Sequence, residues 1–310
     1  MQEIIPPVEK SILLQELTKK KFVRVSNYGN NHIYIINYHD SPNVMMEIGR
    51  LRELTFRYAG GGTGKKVDID EFDTDPKYPY QQLIVWDPLE QEIVGGYRYL
   101  FCNNLTPDFD GIYRQLATTH LFHFTSEFIE RFLSQTIELG RSFVQPDYQP
   151  SGTNRKGIFS LDNIWDGLGA LIVDNPQMKY FFGKVTMYLT YNQRARDMIL
   201  FFMHKHFPDK DRLVYPYRPL AIYSDMRELY ETFSGNDYQE DYRILNYHVR
   251  RLNENIPPLV NTYMNISPSM RTFGTSLNDT FGDVEETGIL VAIKDIYESK
   301  KERHILSYKK

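Results

Sequence analysis

Apolar and polar positions alternate along this chain with two periods, 3.6 and 2, and the switches between them mark out its elements. Val8–Lys21 repeats apolar residues at helical spacing (Ile12, Leu13, Leu17) and ends in lysines, which suits a helix C-terminus. Phe22–Asn27 and His32–Asn37 read as short strands around an Asn-Tyr-Gly-Asn-Asn turn. Asn43–Tyr58 places Val44, Ile48, Leu51 and Phe56 on or near one helical face, with Pro42 at its start. Gln81–Trp86 and Glu92–Phe101 predict a hairpin turned by Asp87 and Pro88.

Next come a short helix near Gly111–Ala117, a strand in His-Leu-Phe-His-Phe, and a helix capped by Thr125 or Ser126. Glu138–Val144 is a strand, Leu161–Val173 a helix, Tyr180–Leu189 a strand and Gln193–Lys205 a helix. This order implies a sheet flanked by helices. After Pro208 prolines punctuate shorter elements, with a helix at Tyr238–Asn253, a strand at Gly288–Ile293 and a basic tail to Lys310. The expected division is therefore a main domain over 1–207, with its core at about 43–207, and an extension over 208–310 packed on it.

The 310 residues are 41% hydrophobic and 25% charged, an ordinary globular balance with ample material for a core. Twenty-three Tyr and nineteen Phe suit a large half-buried sheet and an apolar ligand channel. A formal charge of −4 and a pI near 6.1 argue against nucleic acid as a partner. The lone Cys102 excludes an intramolecular disulfide and a cysteine-cluster zinc site. No apolar run reaches the roughly 18 residues of a membrane span, and the first ten residues lack a signal core, so a cytoplasmic protein is expected. Peripheral contact with the inner face of the membrane stays open.

Several local patterns exclude chemistry. Gly60–Lys66 (Gly-Gly-Gly-Thr-Gly-Lys-Lys) follows a helix instead of a strand and lacks half of the phosphate-loop pattern, so it reads as a mobile loop. The acidic run Asp68–Asp75 lacks the Gly and terminal Glu of a calcium loop and reads as a solvated loop. His204 and His206 lie two apart on a helix, face apart, and suit surface or capping roles. Within Glu-Leu-Gly-Arg-Ser-Phe-Val (138–144), Glu138 and Arg141 are three apart on a strand and point to opposite faces unless a bulge intervenes. Gly140 is where such a bulge is expected. An internal ion pair or an edge strand accounts for the same charges without any catalysis.

Four short motifs occur in order: Arg52-x-x-x-Phe56, Asp70-x-x-Asp73, Gly95-x-x-Arg98 and Glu138-x-x-Arg141. With Tyr97–Leu100, Phe124–Phe128 and Glu138–Val144, they make the chain resemble the GNAT superfamily over about Asn43–Phe207. The branch is that of the hemolysin-like ornithine- and glycine-lipid N-acyltransferases, related to acyl-homoserine-lactone synthases. Phe143 stands where that branch usually has Cys, and the tryptophan of the lactone synthases has no counterpart. The pyrophosphate loop of acetyl-CoA-using relatives has no clear match after Val144, the nearest run being Ser151–Gly157.

The resemblance implies an α/β fold with a central twisted mixed sheet. It implies transfer of a fatty acyl group, 3-hydroxyacyl by preference, from the phosphopantetheine thioester of acyl carrier protein, or from acyl-CoA, to the amine of an amino acid in aminolipid synthesis. Glu138 is then the general base, with Arg98 and Arg141 orienting the acidic residues or binding the acceptor's carboxylate. Arg52, Phe56, Asp70, Asp73, Gly140, Ser142 and Val144 are the implied substrate-binding positions. Of these, Asp70 and Asp73 tie their loop to the arginines, and Gly140 lets the acyl arm approach the backbone. The chemistry requires no metal. A CoA-dependent or signal-synthase activity, and a binding protein on a degenerate scaffold, are the alternatives.

Overall fold

The computed structural model describes residues 1–149 and 157–309. Its strands are β1 (Phe22–Val25), β2 (His32–Ile36), β3 (Gln81–Asp87), β4 (Glu92–Phe101), β5 (Phe122–Phe124), β6 (Thr136–Val144), β7 (Tyr180–Met187), β8 (Val214–Pro216), β9 (Arg271–Asn278) and β10 (Val284–Ala292). Its helices are α1 (Lys10–Glu16), α2 (Pro42–Tyr58), α3 (Glu71–Thr74), α4 (Ser126–Arg131), α5 (Ser160–Asp174), α6 (Gln193–His206), α7 (Met226–Thr232), α8 (Tyr238–Arg251), α9 (Pro258–Met264) and α10 (Glu298–His304). The class is mixed α/β, as expected. None of the helices among the described residues is long and apolar enough to cross a membrane.

The chain forms two compact units. The first gathers Met1–Ala117, Ser134–Lys179 and Glu298–Lys310; the second gathers Thr118–Leu133 and Tyr180–Tyr297. Compactness therefore does not divide the chain at 207/208. Residues 208–297 group with β5, α4, β7 and α6, and the basic tail, which forms α10, returns to the first unit.

In the first unit β1, β2, β3, β4 and β6 pair successively, each pair antiparallel. Nearly every residue of β4 is buried, so both faces of this sheet are covered. Helix α5 packs on β3 and β4, with Gly167 so close to Leu83 that a Cβ there would lie 2.6 Å from Cδ2. Gln82, next to Leu83, points to the other face. There it meets Arg52 of α2, and α2 also lies against β6.

Helix α2 starts at Pro42, whose missing N–H costs nothing at a first turn. The Glu16 carboxylate accepts the N–H groups of Asn43 and Val44 at 3.0 and 2.9 Å, a cap lent by the end of α1. That helix is shorter than its apolar repeat predicts. Leu17 turns out of helical geometry, and Lys21 leaves the helix to bond the Asp40 carbonyl at 2.7 Å. The expected helix at Gly111–Ala117 is replaced by turns: Gly111 takes φ +80, and Arg114 bonds Asp108 and Asp110.

In the second unit β7, β10 and β9 pair antiparallel, and β5 pairs with β8. Thr125 caps α4 by accepting the Phe128 N–H. His206 of α6 does not cap. It meets Asp241 of α8 at 2.8 Å, and Lys205 reaches the same carboxylate at 2.6 Å.

Candidate active site

The sheet face under α2 carries the charges. Its register places Gln82 opposite Arg98, Arg98 opposite Gly140, and Leu100 opposite Glu138. By the two-residue repeat of strands, Gln82, Arg98 and Glu138 therefore share one face. Between Gly96↔Phe143 and Arg98↔Gly140, β4 has one residue and β6 has two, Arg141 and Ser142, so β6 is bulged there. The expected bulge exists, but Arg141 absorbs it, at φ +48, and not Gly140.

The bulge brings Arg141 onto the face that Glu138 already occupies. Arg141 meets Asp68 at 2.8 Å and Asp70 at 3.5 Å. Arg98 donates to both oxygens of Asp70 at 2.7 Å and lies 3.3 Å from Asp73. Arg52 meets Asp73 at 3.1 Å and bonds Gln82 Oε1, and Gln82 Nε2 donates to Asp73 Oδ1 at 2.9 Å. Three arginines and three aspartates thus interlock beneath α2. The acidic run is consequently no solvated loop: Asp68 and Asp73 are wholly buried. Asp70 caps α3 by accepting the N–H groups of Phe72 and Asp73, and Asp73 accepts the Asp70 N–H in return.

Burial and charge compete at each group. Burial pushes the Asp70 carboxyl up, but Arg98 and then Arg141 hold it well below the usual range. Burial likewise lowers Arg98, and Asp70 and Asp73 more than reverse it, so its pKa lies well above normal. At Arg52 burial wins over Asp73 and the net shift is downward. At Asp68 burial wins over Arg141 and the net shift is upward.

Glu138 is 2% exposed. Tyr80 Oη donates to its Oε2, and the Ala117 N–H donates to the same oxygen at 3.2 Å. The Arg98 guanidinium lies 5.0 Å above the Tyr80 ring, so Glu138 connects to the arginine–aspartate network through this ring. Cys102 is buried nearby, and burial followed by the Glu138 charge raises its pKa well above normal, leaving an unreactive thiol.

The structure brings Glu138, Arg98, Arg141, Arg52, Asp70 and Asp73 together. Phe56 is buried one turn beyond Arg52 on α2. Ser142 and Val144 are half-buried on β6. A Cβ on Gly140 would lie 3.4 Å from Arg98 Nε, so Arg98 fills the space beside this glycine. The loop after α2, read as mobile, is tied down: Glu53 accepts the Thr63 N–H at 3.0 Å, the Thr63 hydroxyl at 2.7 Å and the Gly64 N–H at 2.7 Å. Ser151–Lys156, most of the run nearest to a pyrophosphate loop, lies outside the described residues. The motifs did not single out Asp68, Gln82, Tyr80 or the Ala117 N–H. Period-2 extension of β3 from Ile84 back through Gln82 to Tyr80 is the signal that finds two of them.

The model of an acetyltransferase (GNAT) domain matches residues 51–156, the stretch that holds this network. The chain is 55% identical over 310 residues to a glycine N(alpha)-acyltransferase of Phocaeicola vulgatus, covering all of this chain and 94% of that protein. The chain belongs to the GNAT acyltransferases. A second relative, the glycine N(alpha)-acyltransferase of Bacteroides thetaiotaomicron, is 56% identical over 308 residues, covering 99% of this chain and 91% of that protein. No solved structure matches the chain. As a GNAT N-acyltransferase, the protein takes its acyl group from a thioester donor.

Proposed function

We propose that this N-acyltransferase moves a 3-hydroxyacyl group from the phosphopantetheine thioester of acyl carrier protein to the α-amine of glycine. The observation that carries the acceptor is the name shared by two relatives that match essentially end to end. Arg141, at the more accessible edge of the network with its side chain 13% exposed, supplies a planar cation suited to a small carboxylate. The donor rests on the sequence, where no clear match to the adenosine-diphosphate-holding loop follows Val144.

In this reading Glu138 removes a proton from the glycine ammonium group. The free amine attacks the thioester carbonyl. Backbone N–H groups at the Arg141–Ser142 bulge stabilise the oxyanion. As the tetrahedral intermediate collapses, the new C–N bond is kept and the C–S bond breaks. The amide nitrogen loses its second proton, the departing thiolate becomes a thiol, and one proton is released to solvent. The product is an N-acylglycine, an amphiphile that partitions into a bilayer, so release at the inner face of the membrane belongs to the same reading.

The test is thiol release from 3-hydroxyacyl carrier protein with a panel of amino acids, run in parallel with acyl-CoA. Turnover with carrier protein and glycine is expected. Turnover with CoA alone reassigns the donor. Preference for another amine overturns the acceptor, and no thiol release with any pair from folded protein overturns the reading.

A further inference from the structure

We infer that Tyr80 is the positioning residue of Glu138, holding one oxygen of its carboxylate in place. This rests on the reading of Glu138 as the base. Tyr80 stands just before β3 and is 1% exposed. Its own N–H bonds the Phe72 carbonyl at 2.9 Å, and its ring meets the Phe72 ring edge-on, so backbone and ring are both fixed. Its hydroxyl donates to Glu138 Oε2. The Ala117 N–H donates to that hydroxyl at 2.9 Å and to the same carboxylate oxygen at 3.2 Å. Phenol, amide and carboxylate thus form a closed triangle that fixes one oxygen of the base.

Burial disfavours a charged carboxylate, whereas hydrogen bonds donated to the charged form favour it. Tyr80 is suited to this task because burial, followed by the Glu138 charge, raises its phenol well above its ordinary range and keeps it a donor. Among the described groups, Tyr80 and, beyond the end of β4, Cys102 feel the Glu138 charge, and Cys102 stays a neutral thiol. Arg98 faces it across the Tyr80 ring and remains charged. The hydrogen bond from the phenol therefore favours the charged form of the base.

The experiment is the pH dependence of kcat/KM for the full chain, with acyl thioester and glycine as substrates, in Tyr80→Phe, in Glu138→Gln and in protein carrying 3-fluorotyrosine at position 80. Tyr80→Phe keeps the ring under Arg98 and removes only the donor. Its acidic limb is expected to move up by about one pH unit, with kcat lowered roughly tenfold and the donor KM nearly unchanged. The fluorinated phenol is a stronger donor and is expected to move the limb down. A purely structural Tyr80 lowers the thermal midpoint and leaves both limbs where they are, which overturns the inference. If Tyr80→Phe does not fold, the direction of the fluorotyrosine shift decides alone. Glu138→Gln with wild-type turnover overturns the base reading itself, so the two failures are distinguishable.

Discussion

Arg52 and Asp73 meet at 3.1 Å with neither side chain exposed to solvent. The pair joins α2 to α3, and Gln82 of β3 closes it by bonding both partners. Removing one member of a buried pair leaves the other charge uncompensated, which typically costs about 3–5 kcal/mol. Asp73→Ala also takes a partner from Arg98. Urea denaturation of this variant is expected to show a loss in that range. A loss below about 1 kcal/mol would mean that water or Asp68 replaces the missing carboxylate.

Gly95 and Gly96 precede the central arginine of β4 for a steric reason. A Cβ at Gly95 would stand 2.3 Å from the Phe143 carbonyl oxygen, and one at Gly96 would stand 2.4 Å from that of Leu83. Neither atom is a flexible side-chain end, so the strands must part. Gly95→Ala is expected to cost roughly 1–3 kcal/mol by overpacking. The thermal midpoint measures it, with Gly64→Ala as a control for strain at φ +73, because a Cβ there meets nothing within 4 Å.

Acid should weaken the network through Asp70. Its carboxyl is held below the ordinary value of about 3.9 by Arg98 and Arg141, against the effect of burial. A depressed folded pKa means that the unfolded chain takes up the proton first. The contribution is therefore complete above about pH 4 and fades as the pH falls toward the depressed folded value. Wild type is expected to exceed Asp70→Asn by on the order of 2 kcal/mol at neutral pH, with the gap closing below pH 4. A gap that stays constant down to pH 3 would show that the hydrogen bonds, and not the charge, carry the difference.

Glu53 holds the glycine loop by accepting three hydrogen bonds from it and is itself held by Arg57 at 2.7 Å. Glu53→Ala is expected to destabilise by roughly 1.5–3 kcal/mol. It should also raise amide hydrogen exchange at Thr63 and Gly64 selectively, as mass spectrometry of the corresponding peptide would report. Unchanged exchange there would assign the loop's order to the bond between Gln2 N–H and the Gly64 carbonyl.

The sequence makes the long helices and most strands of this fold legible because their apolar periods are long enough to be unambiguous, as at Asn43–Tyr58 and Glu92–Phe101, whereas β8 and β9 escape that reading. Short elements such as α3, α7, α9 and α10 rest on caps and tertiary partners, which a periodicity reading does not weigh. The charged motifs were visible as spacings, but their meaning depends on a bulge. Nothing in Glu-Leu-Gly-Arg tells that Arg141, and not its glycine neighbour, takes the left-handed conformation. Asp68 was hidden for a related reason: an aspartate in an acidic run looks solvated until Arg141 is known to reach it.

The return of α10 to the first unit has a consequence for the order of synthesis. His304 is buried and bonds Asp166 of α5 at 2.7 Å, while Asn27 binds both Asp166 and the Arg303 carbonyl. Gly169 leaves room for this approach, since a Cβ there would collide with the His304 carbonyl oxygen at 1.9 Å. A nascent chain therefore has every residue of the second unit, through Tyr297, before it has the segment that completes the first. Until residue 304 leaves the ribosome, Asp166 lacks its imidazole, so the first unit is completed only after every residue of the second has been made.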